Sequence, residues 1–218
     1  MVANPEVGKI TRLLLKHYGS PKERSRKPPL DVLISTILSQ NTSDQNSRPA
    51  FLNLKKRFET WEKVEDARHS QIERAIRSGG LANIKARRIR EVLREIGRRE
   101  GRMSLEVLKG LSDKEGVSYL TSLKGVGEKT AACVLIFSLG RSVLPVDTHI
   151  LRVSKRLGLV PPKTTLKDAH GILGKKVPKR SVYNFHLNMI THGREVCKAR
   201  TPQCFDCVLN KLCPKIGV

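Results

Sequence analysis

Two glycines separated by a single valine interrupt the helical pattern near the middle of the chain, within the stretch LKGVGEKTA. A helical segment at about 112–122 precedes them, and an apolar helical segment at 130–140 follows directly. Glycine tolerates positive φ and lets the backbone approach another surface closely. Gly125 and Gly127 therefore predict a tight helix-hairpin-helix turn with Val126 anchored in the core. The first amides of the second helix would form an anion site suited to a DNA phosphate, which makes all three residues candidate DNA contacts. An ordinary αα-hairpin with glycine caps is the alternative interpretation.

Lys129 lies in the first turn of the helix that follows these glycines. A cation at the positive end of the helix macrodipole is poorly placed for stability. The same field favours loss of the ammonium proton, so Lys129 could supply a neutral amine. A neutral lysine amine is the nucleophile that Schiff-base chemistry requires. The pattern therefore suggests an activated lysine beside a phosphate-binding turn.

Helical periodicity runs through almost the whole chain and predicts an all-α fold. Aromatic residues make up only 4 % of the sequence, and the aliphatic content favours helix over sheet. No alternating pattern of convincing length predicts a strand. The predicted helices cover residues 4–18, 30–38, 69–78, 85–99, about 112–122 and 130–140, together with one that starts from a cap at Thr42 or Asp44 and ends near Phe58.

The charge balance is strongly basic, with 42 Lys and Arg against 20 Asp and Glu and a formal net charge of +22. Such an excess repels itself unless a polyanion neutralises it, and phosphate contacts supply most non-specific affinity for nucleic acid. A thermophile protein would enrich both signs of charge. We therefore expect a nucleic-acid partner, with a basic surface kept for solubility as the alternative.

The compartment can be predicted from the hydrophobic pattern. No apolar run approaches the roughly 20 residues that a bilayer span needs. Residues 1–6 lack the basic and apolar regions of a signal peptide. We therefore expect an intracellular protein that is neither secreted nor membrane-bound, in which the five cysteines would not form structural disulfides.

Four of the cysteines crowd the last 22 residues with the spacing C-x6-C-x2-C-x5-C, namely Cys197, Cys204, Cys207 and Cys213. Four thiolates so close together predict a bound cofactor, either a structural zinc ion or a [4Fe–4S] cluster. The spacing alone does not choose between the two. The fifth, Cys133, lies in an apolar helical segment and is predicted to be a small core residue.

Asp147 interrupts an apolar stretch and precedes a predicted helix. The simplest role for such an aspartate is an N-cap. A carboxylate in partly apolar surroundings is also what stabilises an oxocarbenium-like sugar when a glycosidic bond breaks. The two roles are compatible, so Asp147 is a candidate catalytic residue.

The motifs LKGVGEKTA, VDTHILRV and HGREVC, with the cysteine tail, resemble the endonuclease III family of helix-hairpin-helix DNA glycosylases over nearly the whole chain. The stretches SQNTSD and GLANIKA support the resemblance. It implies two all-helical lobes with double-stranded DNA bound in the cleft between them by a monomeric enzyme. One lobe would be a six-helix barrel domain at 26–140, with the hairpin at about 112–139. The other would be a discontinuous iron–sulfur domain formed by residues 1–25 and 141–218.

The resemblance also implies the chemistry. A damaged base, most often an oxidised pyrimidine, must be flipped out of the stack before the sugar can be reached. Lys129 would attack C1′, expel the base and form an imine, after which β-elimination breaks the strand on the 3′ side. Asp147 would stabilise the sugar cation and help to transfer protons.

The cofactor and the DNA contacts follow from the same resemblance. It implies that the four tail cysteines hold [4Fe–4S] and not zinc. Lys198 and Arg200 would face DNA phosphates. Asn41 and Leu81 would fill the gap left by the flipped nucleotide, with Gln40 as a further DNA contact. A buried loop anchor is the alternative interpretation of Leu81.

Two departures from the family pattern stand out. Lys124 occupies the place of a usual proline, and Asn41 the place of a common glutamine. Two rival functions stay open. One is a mismatch-specific uracil or thymine DNA glycosylase with weak or no lyase activity, although such relatives generally lack lysine at the position of Lys129. The other is a non-catalytic DNA-binding module.

Overall fold

The computed structural model describes residues 6–21 and 25–218. The regular structure of these residues consists of eleven α-helices and three short 3₁₀ turns, which confirms the all-α prediction. The helices are α1 (Val7–Tyr18), α2 (Pro29–Ser39), α3 (Asp44–Phe58), α4 (Trp61–Asp66), α5 (His69–Ala75), α6 (Ala82–Glu100), α7 (Asp113–Thr121), α8 (Glu128–Leu139), α9 (Thr148–Arg156), α10 (Leu166–Lys176) and α11 (Val182–Glu195). None of these helices is long and apolar enough to cross a membrane.

Of residues 1–6, on which the signal-peptide prediction rests, residues 1–5 lie outside the described part of the chain.

One compact unit spans Arg26–Arg141. Its centre is the pair α2 and α8, which pack against each other and are apolar on most of their surface. α6 is amphipathic and buries one stripe of aliphatic side chains, including Ile89, Leu93 and Ile96, whereas its arginines are exposed or partly exposed and Lys85 is its one buried basic residue. This arrangement makes α8 a largely buried helix, as its sequence predicted, with partly exposed residues in its first turn and, at its other end, at Phe137 and Leu139.

A second compact unit combines Met1–Ser25 with Ser142–Val218. α11 packs against both α9 and α1, with Phe185 and Met189 fully buried. The chain beyond residue 196 contains turns and no helix, in agreement with the loss of periodicity from Cys197 onwards.

The predicted helices are present, with local differences at their ends. The N-cap of α3 is Ser43, not Thr42 or Asp44, because Asp44 already lies in the helix and the Thr42 hydroxyl is bonded elsewhere. The helix predicted at 69–78 ends at Ala75 and continues as a 3₁₀ turn, Arg77–Gly79. α6 starts three residues earlier than predicted. Three helices had no predicted counterpart: α4, α10 and α11.

Candidate active site and cysteine-lined pocket

The hairpin between α7 and α8 has the predicted form, although its two glycines have different roles. Gly125 has φ +80°, a conformation that favours glycine. Gly127 is the N-cap of α8 and has an ordinary extended backbone with open space beside its α-carbon. Val126 is 5 % exposed, so the prediction that it anchors the turn in the core is confirmed. Because glycine has no side chain, the space beside the first amides of α8 is open at Gly127.

A side-chain network connects this turn to α6 and to the end of α2. The guanidinium of Arg88 lies directly over Gly125, where a β-carbon would collide with it. Arg88 also donates a hydrogen bond to Oε1 of Gln40. Nε2 of Gln40 in turn donates to Oγ1 of Thr130 at 3.3 Å. Gln40 is therefore held inside the unit by α6 and α8, and Arg88 is a residue of the hairpin region that the linear sequence did not reveal.

Lys129 is the second residue of α8 and is partly exposed. Its neighbour Thr130 is buried and is held by Gln40, which fixes the backbone of this first turn. Among the described residues, no hydrogen-bond or ion-pair partner engages the Lys129 side chain. The amine is therefore available for a ligand. Lys124, on the other side of the turn, is exposed and lies 3.4 Å from the carboxylate of Glu91.

Asp147 is the N-cap of α9, as predicted, because its Oδ1 accepts a hydrogen bond from the amide of Ile150 at 2.8 Å. The preceding residues Leu144, Pro145 and Val146 are buried. Nδ1 of the buried His186 donates to the carbonyl of Pro145 at 2.9 Å, and this bond holds the backbone two residues before the capping aspartate. The carboxylate is partly exposed, and its second oxygen takes no part in the cap. One residue can therefore cap the helix and present negative charge.

Asn41 and Leu81 are exposed and share an unusual backbone conformation. Their φ values are +52° and +49°, in the left-handed region that non-glycine residues rarely adopt. Leu81 is 53 % exposed, so the alternative of a buried loop anchor is wrong. Ile84, one turn further along α6, is a second exposed apolar residue, and its i+3 spacing from Leu81 is the one sequence signal for it.

The four tail cysteines line a common pocket, whose other walls include Val153, Leu157 and Leu209. Within the described part of the chain, no three His, Cys, Asp or Glu side chains lie close enough together to hold a single metal ion. Burial raises the pKa of the Cys207 and Cys213 thiols. For each thiol a backbone hydrogen bond lowers the pKa in part, and the charges of the neighbouring cysteines raise it.

Several donors are directed at these sulfurs. Nη1 of Arg156 donates to Sγ of Cys197 at 3.4 Å, and the amide of Lys215 donates to Sγ of Cys213 at 3.4 Å. Nε2 of His192 lies 3.5 Å from Sγ of Cys207. Burial lowers the pKa of His192 to about 4, with a smaller contribution from His17, so the ring is neutral at pH 7. Four soft sulfur ligands, apolar walls and N–H donors aimed at the sulfurs fit an iron–sulfur cluster.

Lys198 and Arg200 follow the first of these cysteines and are exposed. The buried Arg156 holds the backbone of their loop, since its guanidinium donates to the carbonyl of Lys198 at 2.6 Å and to that of Ala199 at 2.9 Å. The loop backbone is therefore fixed while its basic side chains face solvent.

Comparison with known proteins identifies the family. The family described as HhH-GPD superfamily base excision DNA repair protein matches residues 34–179. Endonuclease III of Thermotoga maritima is 31 % identical over 207 residues, which cover 95 % of this chain and 92 % of that protein. A candidate DNA glycosylase of Arabidopsis thaliana is 38 % identical over 196 residues, 90 % of this chain, and the match spans 64 % of the plant protein's length.

Solved structures show the same relationship. A trapped covalent intermediate of endonuclease III with DNA has a TM-score of 0.81 and 29 % sequence identity, over 96 % of this chain and 94 % of that one. The sequence matches over most of the chain, together with this fold, show that the protein belongs to the HhH-GPD superfamily of base excision DNA repair proteins and, within it, to the endonuclease III family.

Proposed function

We propose that this DNA glycosylase removes oxidised pyrimidines from DNA and then cleaves the strand on the 3′ side of the abasic site. The observation that carries the proposal is Lys129 in the first turn of α8, next to the Gly125 turn, a partly exposed amine for which residues 6–21 and 25–218 supply no partner. A lysine in this position supplies the nucleophile for Schiff-base chemistry. The mismatch-specific relatives considered above generally lack it.

The reaction would proceed at the anomeric carbon of the flipped nucleotide. The amine of Lys129 attacks C1′ and gives up a proton, and the base leaves with the electron pair of the glycosidic bond and takes up a proton. The carboxylate of Asp147 stabilises the positive charge that develops on the sugar. The sugar ring opens to an imine, loss of a proton from C2′ expels the 3′ phosphate, and water then releases the lysine.

Binding of the duplex would rest on backbone phosphates. The first amides of α8 and the positive end of its macrodipole suit one phosphate. Lys198 and Arg200 offer further charge on a loop that Arg156 holds rigid. The +22 net charge supplies long-range attraction to DNA. Asn41 and Leu81 would enter the helix where the damaged nucleotide leaves it.

A panel of duplexes, each with one defined lesion, tests the substrate assignment. We expect excision and nicking of thymine glycol, nicking of a preformed abasic site, and little release of uracil or thymine opposite guanine. The products are separated on a denaturing gel with and without alkali, since alkali reveals abasic sites that were not nicked. Release of mismatched uracil or thymine that needs alkali for strand cleavage would identify a mismatch glycosylase instead.

We also propose that Cys197, Cys204, Cys207 and Cys213 hold a [4Fe–4S] cluster. The four thiolates would be the ligands of the cluster, and a bound cluster would cross-link the tail. This chain's own part is the apolar pocket and the donors from Arg156, His192 and Lys215, which favour the charged sulfurs. Because Arg156 contacts both Cys197 and the carbonyl of Lys198, the pocket and the basic loop share one support.

We expect the protein purified without oxygen to be brown, with broad visible absorption and about four iron and four sulfide per chain. Cys204→Ala should lose this absorption because one ligand is missing. Cys133→Ala is the matched control and should keep it, since Cys133 is buried in α8 in the other compact unit. A colourless protein with stoichiometric zinc would contradict the cluster assignment.

A further inference from the structure

Lys85 is a buried cation whose ammonium, in the described part of the chain, bonds to oxygens of neutral groups. The residue is 2 % exposed and lies in the first turns of α6. Its Nζ donates to the carbonyl of Leu38 at 2.6 Å, to Oγ1 of Thr42 at 2.6 Å and to the carbonyl of Gly79 at 2.7 Å. Among the described residues, no carboxylate forms an ion pair with it. Burying a charge without a counter-ion is costly, so this lysine calls for an explanation beyond packing.

The three acceptors belong to the two segments that carry the exposed left-handed residues. Leu38 and Thr42 flank the loop that contains Asn41, between α2 and α3. Gly79 belongs to the turn that leads into Leu81. The Thr42 hydroxyl closes the arrangement, since it donates to the carbonyl of Gly79 at 2.6 Å. Lys85 and Thr42 therefore join the Asn41 loop to the Leu81 turn at their bases.

Both tips are in conformations that the free segments would avoid. Left-handed φ values at non-glycine residues persist only where the surroundings impose them. Because Leu81 is more than half exposed, burial of its side chain contributes little free energy that would hold it in this conformation. An ammonium with three donors in tetrahedral directions can bind three acceptors at once, which neither a shorter nor an apolar side chain can do. The junction at Lys85 thus supplies the constraint that the two tips require.

We propose that Lys85 is a positioning residue for strand insertion, which holds the Asn41 loop and the Leu81 turn in one arrangement so that both tips enter the duplex together. The inference rests on the proposed function, in which these two residues occupy the space of the flipped nucleotide. Lys85 does not contact DNA itself, because it is buried. Because Lys85 already holds the two segments together, less conformational entropy is lost when DNA binds, and this favours insertion.

A purely structural lysine would have different consequences. Its loss would lower stability and reduce activity on every substrate to the same extent. A positioning residue matters on a paired substrate, where the free energy gained by insertion must offset the cost of unstacking and unpairing the damaged base. A lesion that is already unpaired needs little insertion and should therefore be nearly insensitive to the loss.

The first test measures insertion without chemistry. The DNA contains a stable tetrahydrofuran abasic analogue with 2-aminopurine opposite it, so that entry of Asn41 and Leu81 unstacks the fluorescent base. The native protein should raise the fluorescence on binding, and Lys85→Met should lose most of that rise at saturating protein. Thr42→Val, which removes only the hydroxyl of the junction, should lose a large part of it. This second variant decides the question if Lys85→Met does not fold, as judged by circular dichroism.

The second test compares single-turnover excision of thymine glycol in a fully paired duplex and in a three-nucleotide mismatched bubble. We expect Lys85→Met to slow the paired substrate by about 10- to 100-fold and the bubble by less than about 2-fold. Lys176→Met is the matched control, since that lysine donates to the carbonyl of Leu159 at 2.8 Å in the other compact unit. It should slow neither substrate.

The outcomes separate the two proposals. A full fluorescence rise in both variants, no rise with the native protein, or an equal loss of rate on both substrates would overturn the role of Lys85. A fluorescence rise with the native protein that Lys85→Met loses, in a protein that excises no lesion, would support this role and contradict the proposed function alone.

Discussion

Replacing Lys129 by glutamine should abolish borohydride trapping of the protein on abasic-site DNA and on thymine glycol DNA. Glutamine keeps helix propensity and a polar tip but cannot form an imine. The partly exposed position leaves the packing of α8 unchanged, so the variant should fold and bind DNA as before. The measurement is the covalent complex on a denaturing gel after reduction, together with strand cleavage of the abasic duplex.

Lys124→Gln is the control for this experiment. Lys124 is an exposed lysine of the same hairpin whose ammonium lies near Glu91, on the other side of the turn from α8. At saturating protein it should be trapped like the native chain. Undiminished trapping of the Lys129→Gln variant would show that another amine is the nucleophile and would remove the main support for the lyase.

Replacing Asp147 by asparagine should lower the rate of base excision by about 10²–10³-fold while DNA binding and stability are retained. Asparagine is as good an N-cap as aspartate, and its Oδ1 can still accept from the amide of Ile150. What is lost is the negative charge that stabilises the developing sugar cation, an interaction made only in the transition state. Single-turnover excision of thymine glycol, with thermal unfolding in parallel, measures the two effects separately.

Asp147→Ala should lose the cap as well as the charge, which costs about 1 kcal/mol of stability in addition. Thr165→Ala provides the matched comparison, because Thr165 caps α10 through the amide of Asp168 at 3.2 Å. It should show a similar loss of stability with normal excision. If Asp147→Asn turned over at the native rate, Asp147 would be a helix cap and nothing more.

Much of the fold could be predicted because its signals are local. α6 shows a 3.6-residue periodicity of apolar positions, and α2 and α8 are apolar on most of their surface. Both patterns are visible in a short window of sequence and predict burial. The same is true of the turn at Gly125, the burial of Val126 and the cap at Asp147. Each depends on residues within about one helical turn.

α11 shows why other helices escaped prediction. His186, Asn188 and His192 are buried on its inner side and break the apolar stripe. Their polar atoms are satisfied by distant partners: Asn188 donates to the carbonyl of Gly19 at 3.2 Å, and Nδ1 of His192 lies 3.0 Å from the Tyr18 hydroxyl. A buried polar residue looks like a surface residue until its partner is known.

The candidate site also combines features that local sequence predicts with contacts between distant segments. The sequence by itself determined the residue types, namely an amine at the start of α8, a carboxylate at the cap of α9 and four thiolates in one tail. Only the tertiary structure showed that Arg88 covers Gly125, and that Lys85 reaches Leu38 across 47 positions of sequence to join two loops. Hydrogen bonds between distant segments produce no periodic pattern in the sequence. Each polar side chain could bond to many different groups, and the folded backbone determines which of them lies within reach.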